Sequence, residues 1–285
     1  MSSDQNTYVF NADSPTELTR LINLDQVTTQ AMGGPLVGID ANHIPQIKNI
    51  LDTGCGPGGW VLNVAFGLPD AEVTGVDTSR SMIDYANGRA RTRQLSNASF
   101  GVMDIRRPLD FADGAFDLVN ARYLTGVLKR EDWVGFLQEC LRLLRPGGLV
   151  RLTETDGVLV TTSPALSQLN LWLMQAMHRM GYGHSPDGFT LGVSSVLPSL
   201  LRKIGIKQPE TFACEFDGSH YSQHHITLLR LCEIVYFQAQ SIITKTEVAG
   251  AEEIKKLYQQ MLIEIQRDDF CCIFNMRCIV GEKST

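Results

Sequence analysis

The spacing of apolar positions changes several times along the chain, and each change predicts a different element. Trp133, Phe136, Leu137, Cys140, Leu141 and Leu144 recur at i, i+3, i+4, i+7, i+8 and i+11, the signature of a helix with one apolar face. Val193, Val196, Leu197, Leu200, Leu201 and Ile204 repeat that pattern until Gly205 stops it, and Ile254, Leu257, Tyr258, Met261, Leu262 and Ile265 carry it again. Between such stretches lie short runs rich in aliphatic and β-branched residues, at 47–53, 73–77, 100–104, 116–124 and 149–155. Strand runs alternating with helical patterns predict a mostly parallel sheet with helices on both faces.

Local signals place the remaining elements. Ser14-Pro15-Thr16-Glu17 has the form of a capping box with Pro at the first helical position, so a helix is expected from there to Gly33-Gly34-Pro35. Residues 60–68 and 164–181 read as helices, and two more are expected at 223–245 and 250–267. Strands six and seven fall at about 209–216 and 270–280.

The run Ile50-Leu51-Asp52-Thr53-Gly54-Cys55-Gly56-Pro57-Gly58-Gly59-Trp60 is a strand, a glycine turn and a helix start. Without Cβ atoms, Gly54, Gly56 and Gly58 can take positive φ and let a ligand approach the backbone closely. Clustered glycines also serve dinucleotide-binding loops, usually as G-x-G-x-x-G. Here the loop is D-x-G-C-G-P-G, and two later strands also end near an acid, Val73-Thr74-Gly75-Val76-Asp77 and Phe100-Gly101-Val102-Met103-Asp104. Asp77 follows Gly54 by 23 residues, the spacing expected of a carboxylate that holds ribose hydroxyls.

In this form residues 48–156 resemble class I S-adenosylmethionine (SAM)-dependent methyltransferases. The resemblance implies a Rossmann-like three-layer α/β sandwich with a seven-stranded, mostly parallel sheet whose last strand runs antiparallel. It implies SAM as cofactor, bound by Asp52, Gly54, Cys55, Gly56 and Gly58 of the loop, by Asp77 and Thr78 at the ribose, and by Met82, Asp104 and Ile105 around the adenine. Asn120, Ala121 and Arg122 at the fourth strand's exit would meet the methionine part, and Tyr8 and Arg20 of a leading segment could fold over the cofactor. Arg122-x-Leu124-x-Gly126, Asp132-Trp133, Leu144-Arg145-Pro146-Gly147-Gly148 and Glu154 together resemble a small-molecule, secondary-metabolite branch of that family.

These readings divide the chain into an N-terminal helical cap (1–46), a SAM-binding core (47–160) and a C-terminal half (161–285) with inserted lid helices at 161–188 and 222–267. The lid helices could cover the pocket or pair two subunits as a homodimer. With 285 residues, 44% of them hydrophobic, the chain can build a substantial core. A net charge of −6 argues against a nucleic-acid partner and fits a small or uncharged substrate better; the expected role is methylation of a small, apolar metabolite. Seven cysteines without C-x-x-C spacing read as reduced core residues. No basic region followed by an apolar run opens the sequence, so a cytoplasmic location is expected, and Arg230 and Glu233 make 226–243 a poor membrane span.

Methyl transfer to a hydroxyl calls for proton removal, usually by a neutral His or a carboxylate. His178 and Tyr182, four residues apart near the end of the inserted helix, are the first candidates, with Tyr123 and Glu154 beside them. Tyr123 and Arg122 have equally good readings as a packed ring and a buried salt bridge, and Glu154 as a solvated strand end. His220 and His224 have ligand-like spacing but lack an acidic companion, so no metal is expected. Oxygen, nitrogen and carbon acceptors stay open, as do two readings without methyl transfer: a SAM-binding regulator acting through partners, and a SAM-assisted cyclase.

Overall fold

The computed structural model describes residues 8–284; the first seven residues of the expected cap lie outside them. Strands β1 (Asn49–Thr53), β2 (Glu72–Asp77), β3 (Ala98–Val102), β4 (Phe116–Arg122) and β5 (Leu144–Glu154) are parallel, in the spatial order β3-β2-β1-β4-β5. β1 and β4 are almost wholly buried on both faces, so neither shows an apolar–polar alternation, and polar residues such as Asp52 and Asn120 are buried along with the aliphatic ones. Helices α2 (Gly59–Gly67), α3 (Arg80–Thr92) and α4 (Asp132–Leu143) cross between these strands. Trp133, Phe136, Leu137 and Cys140, the apolar stripe of α4, are all buried.

Beyond β5 come β6 (Leu159–Thr161), α5 (Pro164–Arg179), α6 (Val193–Lys203), β7 (Lys207–Asp217), α7 (His225–Lys245), α8 (Ala251–Glu264) and β8 (Cys272–Glu282). β8 runs antiparallel to both β5 and β7, as the resemblance implies. The sheet has eight strands where seven were expected. The additional one, β6, is three residues long and pairs with the start of β8 after β5 has ended. So short a run after Gly157 carries no periodicity of its own.

Two further boundaries differ from expectation. β3 ends at Val102, so Asp104 stands in the loop beyond it. Residues 146–148, expected as a turn before the fifth strand, lie inside β5. Gly147 still turns at φ +77° and the β4–β5 register shifts there, but the Gly147 amide donates to the Lys283 carbonyl at 2.9 Å and the Lys283 amide to the Gly148 carbonyl at 2.8 Å, which keeps this irregular stretch paired within the strand.

Helix α1 (Pro15–Ala31) begins where the capping signal lies, with the Ser14 hydroxyl accepting from the Thr16 amide. Glu17 does not complete the box: it is fully buried and turned toward Arg20. α1 packs on α7, and α5, α7 and α8 pack on one another, forming a helical layer over the carboxyl edge of the sheet. By length and composition α7 alone among the described helices could cross a membrane, and here its Leu228, Leu231, Cys232, Tyr236, Ala239 and Ile243 face the interior.

The glycine turn is held by packing as well as by conformation. Gly58 caps α2 at φ +74°, and a Cβ there would stand 2.6 Å from Phe100 Cε1 and 2.8 Å from Ala86 Cβ. Gly33, at φ +80°, has nothing within 4 Å of such an atom. Gly33→Ala is expected to cost only the left-handed backbone penalty of ~1 kcal/mol. Gly58→Ala adds overpacking, for a total of roughly 2–4 kcal/mol. Urea denaturation of the two variants side by side measures the difference.

Candidate active site

The glycine turn, the exits of β2 and β4, helix α1 and the helical layer enclose one continuous cavity of about 300 Å³. At one end stand Asp52, Gly54, Cys55, Gly56, Asp77, Thr78, Met82 and Ile105. The other is walled by apolar side chains of α1, α5, α7 and β8, among them Leu24, Met174, Met177, Leu231, Val235 and Met276. The lining thus joins most of the residues expected at the cofactor to a chamber that periodicity alone does not reveal.

Each acidic side chain at the first end has a definite engagement. Asp77 Oδ2 accepts from the Gly56 amide and Oδ1 from the Ser79 amide, both at 2.9 Å. Burial raises its carboxyl above the ordinary value, opposed by those amides. Asp104 is half-buried at a neighbouring cleft and is gripped by its own near neighbour Arg106, whose Nη2 lies 2.8 Å from Oδ2. Desolvation works against that ion pair and loses, so Asp104 is held below the usual carboxylate range.

Asp52 is buried, and it accepts from Asn120 Nδ2 at 2.7 Å; Asn120 Oδ1 in turn accepts from Arg151 Nη1 at 2.7 Å. The row is set by register, since Asp52 pairs with Asn120 and Asn120 with Arg151 across β1, β4 and β5. Burial pushes the Asp52 carboxyl up to about 7, against the lowering effects of Arg122 and Asn120. Arg122 pairs with Asp25 of α1, and its Nη1 lies 3.4 Å from Thr29 Oγ1. Ala121 is buried in β4 and, with Asn120, does not line the cavity itself.

The leading segment closes this end. The Val9 amide donates to the Gly126 carbonyl at 2.9 Å, and Asp13 Oδ1 accepts from the Ser79 and Ser81 hydroxyls at 3.1 and 2.9 Å. Tyr8 donates to Glu17, which also accepts from Arg20 Nε at 2.8 Å and from Gln238 Nε2 of α7 at 2.9 Å. Tyr8 and Arg20 face the cavity.

The four expected catalytic side chains do not come together. Tyr123 lines the cavity, with its hydroxyl 2.6 Å from Thr28 Oγ1 and 3.4 Å from Met276 Sδ. Burial pushes its phenol up to about 12, so it stays protonated near neutral pH. Glu154 lies behind the wall, accepting from the Leu124 amide at 2.6 Å and the Thr125 amide at 3.4 Å. It therefore shapes the exit of β4, and its burial raises the carboxyl to about 8. His178 and Tyr182 are also away from the cavity, because α5 ends at Arg179 and the two side chains do not share a helical face. His178 Nδ1 lies 3.4 Å from Arg130 Nη2, and Tyr182 is buried near Asp132 and Arg106. Among the described residues no histidine lines the cavity, and no group of three His, Cys, Asp or Glu could hold a metal.

Residues 50–148 match the model of a family described as a methyltransferase domain. An uncharacterized methyltransferase of Schizosaccharomyces pombe is 30% identical over 151 residues, 50% of this chain and 53% of that protein. Methyltransferase pytC of Aspergillus terreus is 26% identical over 248 residues, 84% of this chain and 72% of its own. The chain thus spans about half the length of the first relative and more of the second. In fold it is similar to phosphoethanolamine N-methyltransferase 2 of Haemonchus contortus, solved with SAM, at TM-score 0.50 and 18% identity over 92% of this chain and 57% of that one. Sheet order, glycine turn and family match define a Rossmann-like α/β domain of the SAM-dependent type. Residues 50–148 thus carry a methyltransferase domain of the class I SAM-dependent type, with SAM as its cofactor.

Asp52 yields a test with a definite sign. Its carboxyl sits at about 7 in the fold against an ordinary 3.8, so the unfolded chain ionises first as pH rises. The folded state is penalised progressively from about pH 4 and fully above pH 7. Asp52→Asn keeps an acceptor for Asn120 and removes the charge. It is expected to stabilise the ligand-free protein by roughly 2–4 kcal/mol at pH 8 and by almost nothing at pH 4. Urea denaturation at the two pH values checks this.

Proposed function

We propose that this chain transfers the SAM methyl group to a small, neutral, largely apolar metabolite. The observation that carries the reading is the single cavity joining the glycine turn to an apolar chamber. When bound, SAM supplies an electrophilic methyl on a sulfonium; the chain's residues hold it and aim the acceptor. Asp77 keeps lone pairs for two ribose hydroxyls, Met82 and Ile105 offer apolar contact to the adenine, and Asp104 accepts from its amine. The anionic form of Asp52 would complement the positive charges of the methionine end, and Tyr8 and Arg20 of the leading segment cover it.

The chamber's chemistry favours a neutral acceptor molecule. Every charged side chain on the cavity wall already has a partner: Arg20 with Glu17, Asp25 with Arg122, Asp52 with Asn120, Asp77 with two amides. With Asp52 and Asp77 given to the cofactor, a charged substrate would have to compete with one of the two ion pairs. Catalysis then rests on alignment, since proximity and orientation can supply about 7–11 kcal/mol without a strong base. Tyr123 serves this reading as a hydrogen-bond donor that positions the acceptor.

Two measurements test the proposal. Asp77→Ala removes the acceptor for both ribose hydroxyls and is expected to weaken SAM binding roughly 10- to 100-fold in calorimetric titration. Incubating the wild-type protein with SAM and a panel of lipophilic phenols, quinols, amines and alkenes is expected to release S-adenosylhomocysteine with a methylated product. Saturable SAM binding with no turnover on any acceptor, but with partner capture or with ring closure of an acceptor, would replace transfer by the regulator or cyclase reading.

A further inference from the structure

The chamber contains a polar pair that the cofactor does not account for. Asn170 of α5 and Tyr236 of α7 both line it, among Leu173, Met174, Leu231 and Val235. The Tyr236 hydroxyl donates to Asn170 Oδ1 at 3.0 Å, and Asn170 Nδ2 donates to the Gly157 carbonyl at 2.7 Å. Tyr236 is 3% exposed, and its burial keeps the phenol protonated.

The hydrogen-bond inventory is incomplete on the cavity side. Asn170 has two amide hydrogens and two carbonyl lone pairs, and the fold uses one of each. The Tyr236 oxygen has spent its proton and keeps its lone pairs. One donor and several acceptors therefore stand together in an apolar wall, where leaving polar capacity unused is costly. The Gly157 carbonyl fixes the amide's orientation, and Gly157 itself, at φ +71°, lies so close to Met174 that a Cβ would stand 2.3 Å from its Sδ. The pair is thus held rigidly by α5, α7 and the β5–β6 connection.

We infer that Asn170 and Tyr236 form the polar anchor of the acceptor chamber and recognise a hydroxyl on an otherwise apolar substrate. A hydroxyl satisfies both sides at once: its proton goes to Asn170 Oδ1 or the Tyr236 oxygen, and its own oxygen accepts the second Asn170 N–H. A carbonyl or ether would leave the acceptors unmet, and a carboxylate would face them without a compensating cation. The inference rests on the apolar-acceptor reading above and adds to it the functional group that the chamber selects.

The test uses the full chain saturated with S-adenosylhomocysteine and titrated calorimetrically with 4-propylphenol and with 4-propyltoluene, which replaces the hydroxyl by a methyl of similar size. The wild type is expected to prefer the phenol by about tenfold. Tyr236→Phe and Asn170→Leu should each bring the ratio toward one while leaving affinity for S-adenosylhomocysteine within about twofold, which also shows that the variants fold. Equal affinity for the two probes in the wild type overturns the anchor. So does a preference that survives both substitutions, which would assign the hydroxyl to Tyr123 and Thr28. If neither probe binds while S-adenosylhomocysteine does, the apolar-acceptor reading fails together with the anchor.

Discussion

The buried row Asp52–Asn120–Arg151 is the constraint on which the carboxyl edge of the sheet depends. A carboxyl and a guanidinium are expensive to bury unless each finds partners, and here a neutral amide meets both, with 2.7 Å on either side. Because the three residues stand in register on adjacent parallel strands, the row also fixes where β1, β4 and β5 release their chains into the site. Arg151 extends the tie outward: its Nε donates to the Val37 carbonyl at 3.0 Å and anchors the segment that follows α1. Arg122, one strand position beyond Ala121, binds Asp25 and draws α1 itself onto the same edge. One line of buried polar groups thus positions both the glycine turn and the helix that roofs it.

The β4 exit shows how the fold spends backbone strain on the site. Tyr123 is a non-glycine residue at φ +58°, ψ +37°, a conformation that costs about 1–2 kcal/mol. It is held there from both sides. Its amide donates to the Thr153 carbonyl at 2.9 Å, and the next two amides turn onto the Glu154 carboxyl. The turn aims the phenol into the cavity, where Thr28 and Met276 receive it. Glu154 thereby acts on the site from behind the wall, as the group that orders a loop.

What the sequence makes legible follows from how local each signal is. The glycine turn, the Asp77 position and the stripe of α4 are encoded within about a dozen residues, and the structure has them where those signals lie. The β6 segment escapes because three residues cannot show a period, and β5 runs through Pro146-Gly147-Gly148 because a distant partner, Lys283, supplies hydrogen bonds that local propensity cannot anticipate. The apolar end of the cavity is less legible still. His178 and Tyr182 are four apart in sequence, but the helix ends between them, so their spacing carries no geometry. Asn170 and Tyr236 are 66 positions apart and meet only through the packing of α5 on α7. Asp25 and Thr28 are ordinary helix residues until the packing of α1 on α7 brings them to the cavity.

The distribution of charge bears directly on the kind of chemistry the cavity can support. A site built for general base catalysis needs a titratable group with an available lone pair near neutral pH. Tyr123 is pushed up to about 12, Glu154 is committed to backbone amides, and no described histidine reaches the lining. Asp52, pushed up to about 7 by burial, lies at the glycine-turn end, embedded in the sheet. Its charge is therefore suited to answering a cation bound on the turn. Methyl transfer from a sulfonium disperses positive charge as the new bond forms, so a low-polarity chamber favours the reaction over its charged ground state. In the proposed reaction, a neutral acceptor held by apolar contacts and oriented by a few fixed hydrogen bonds is the reactant that such a wall suits.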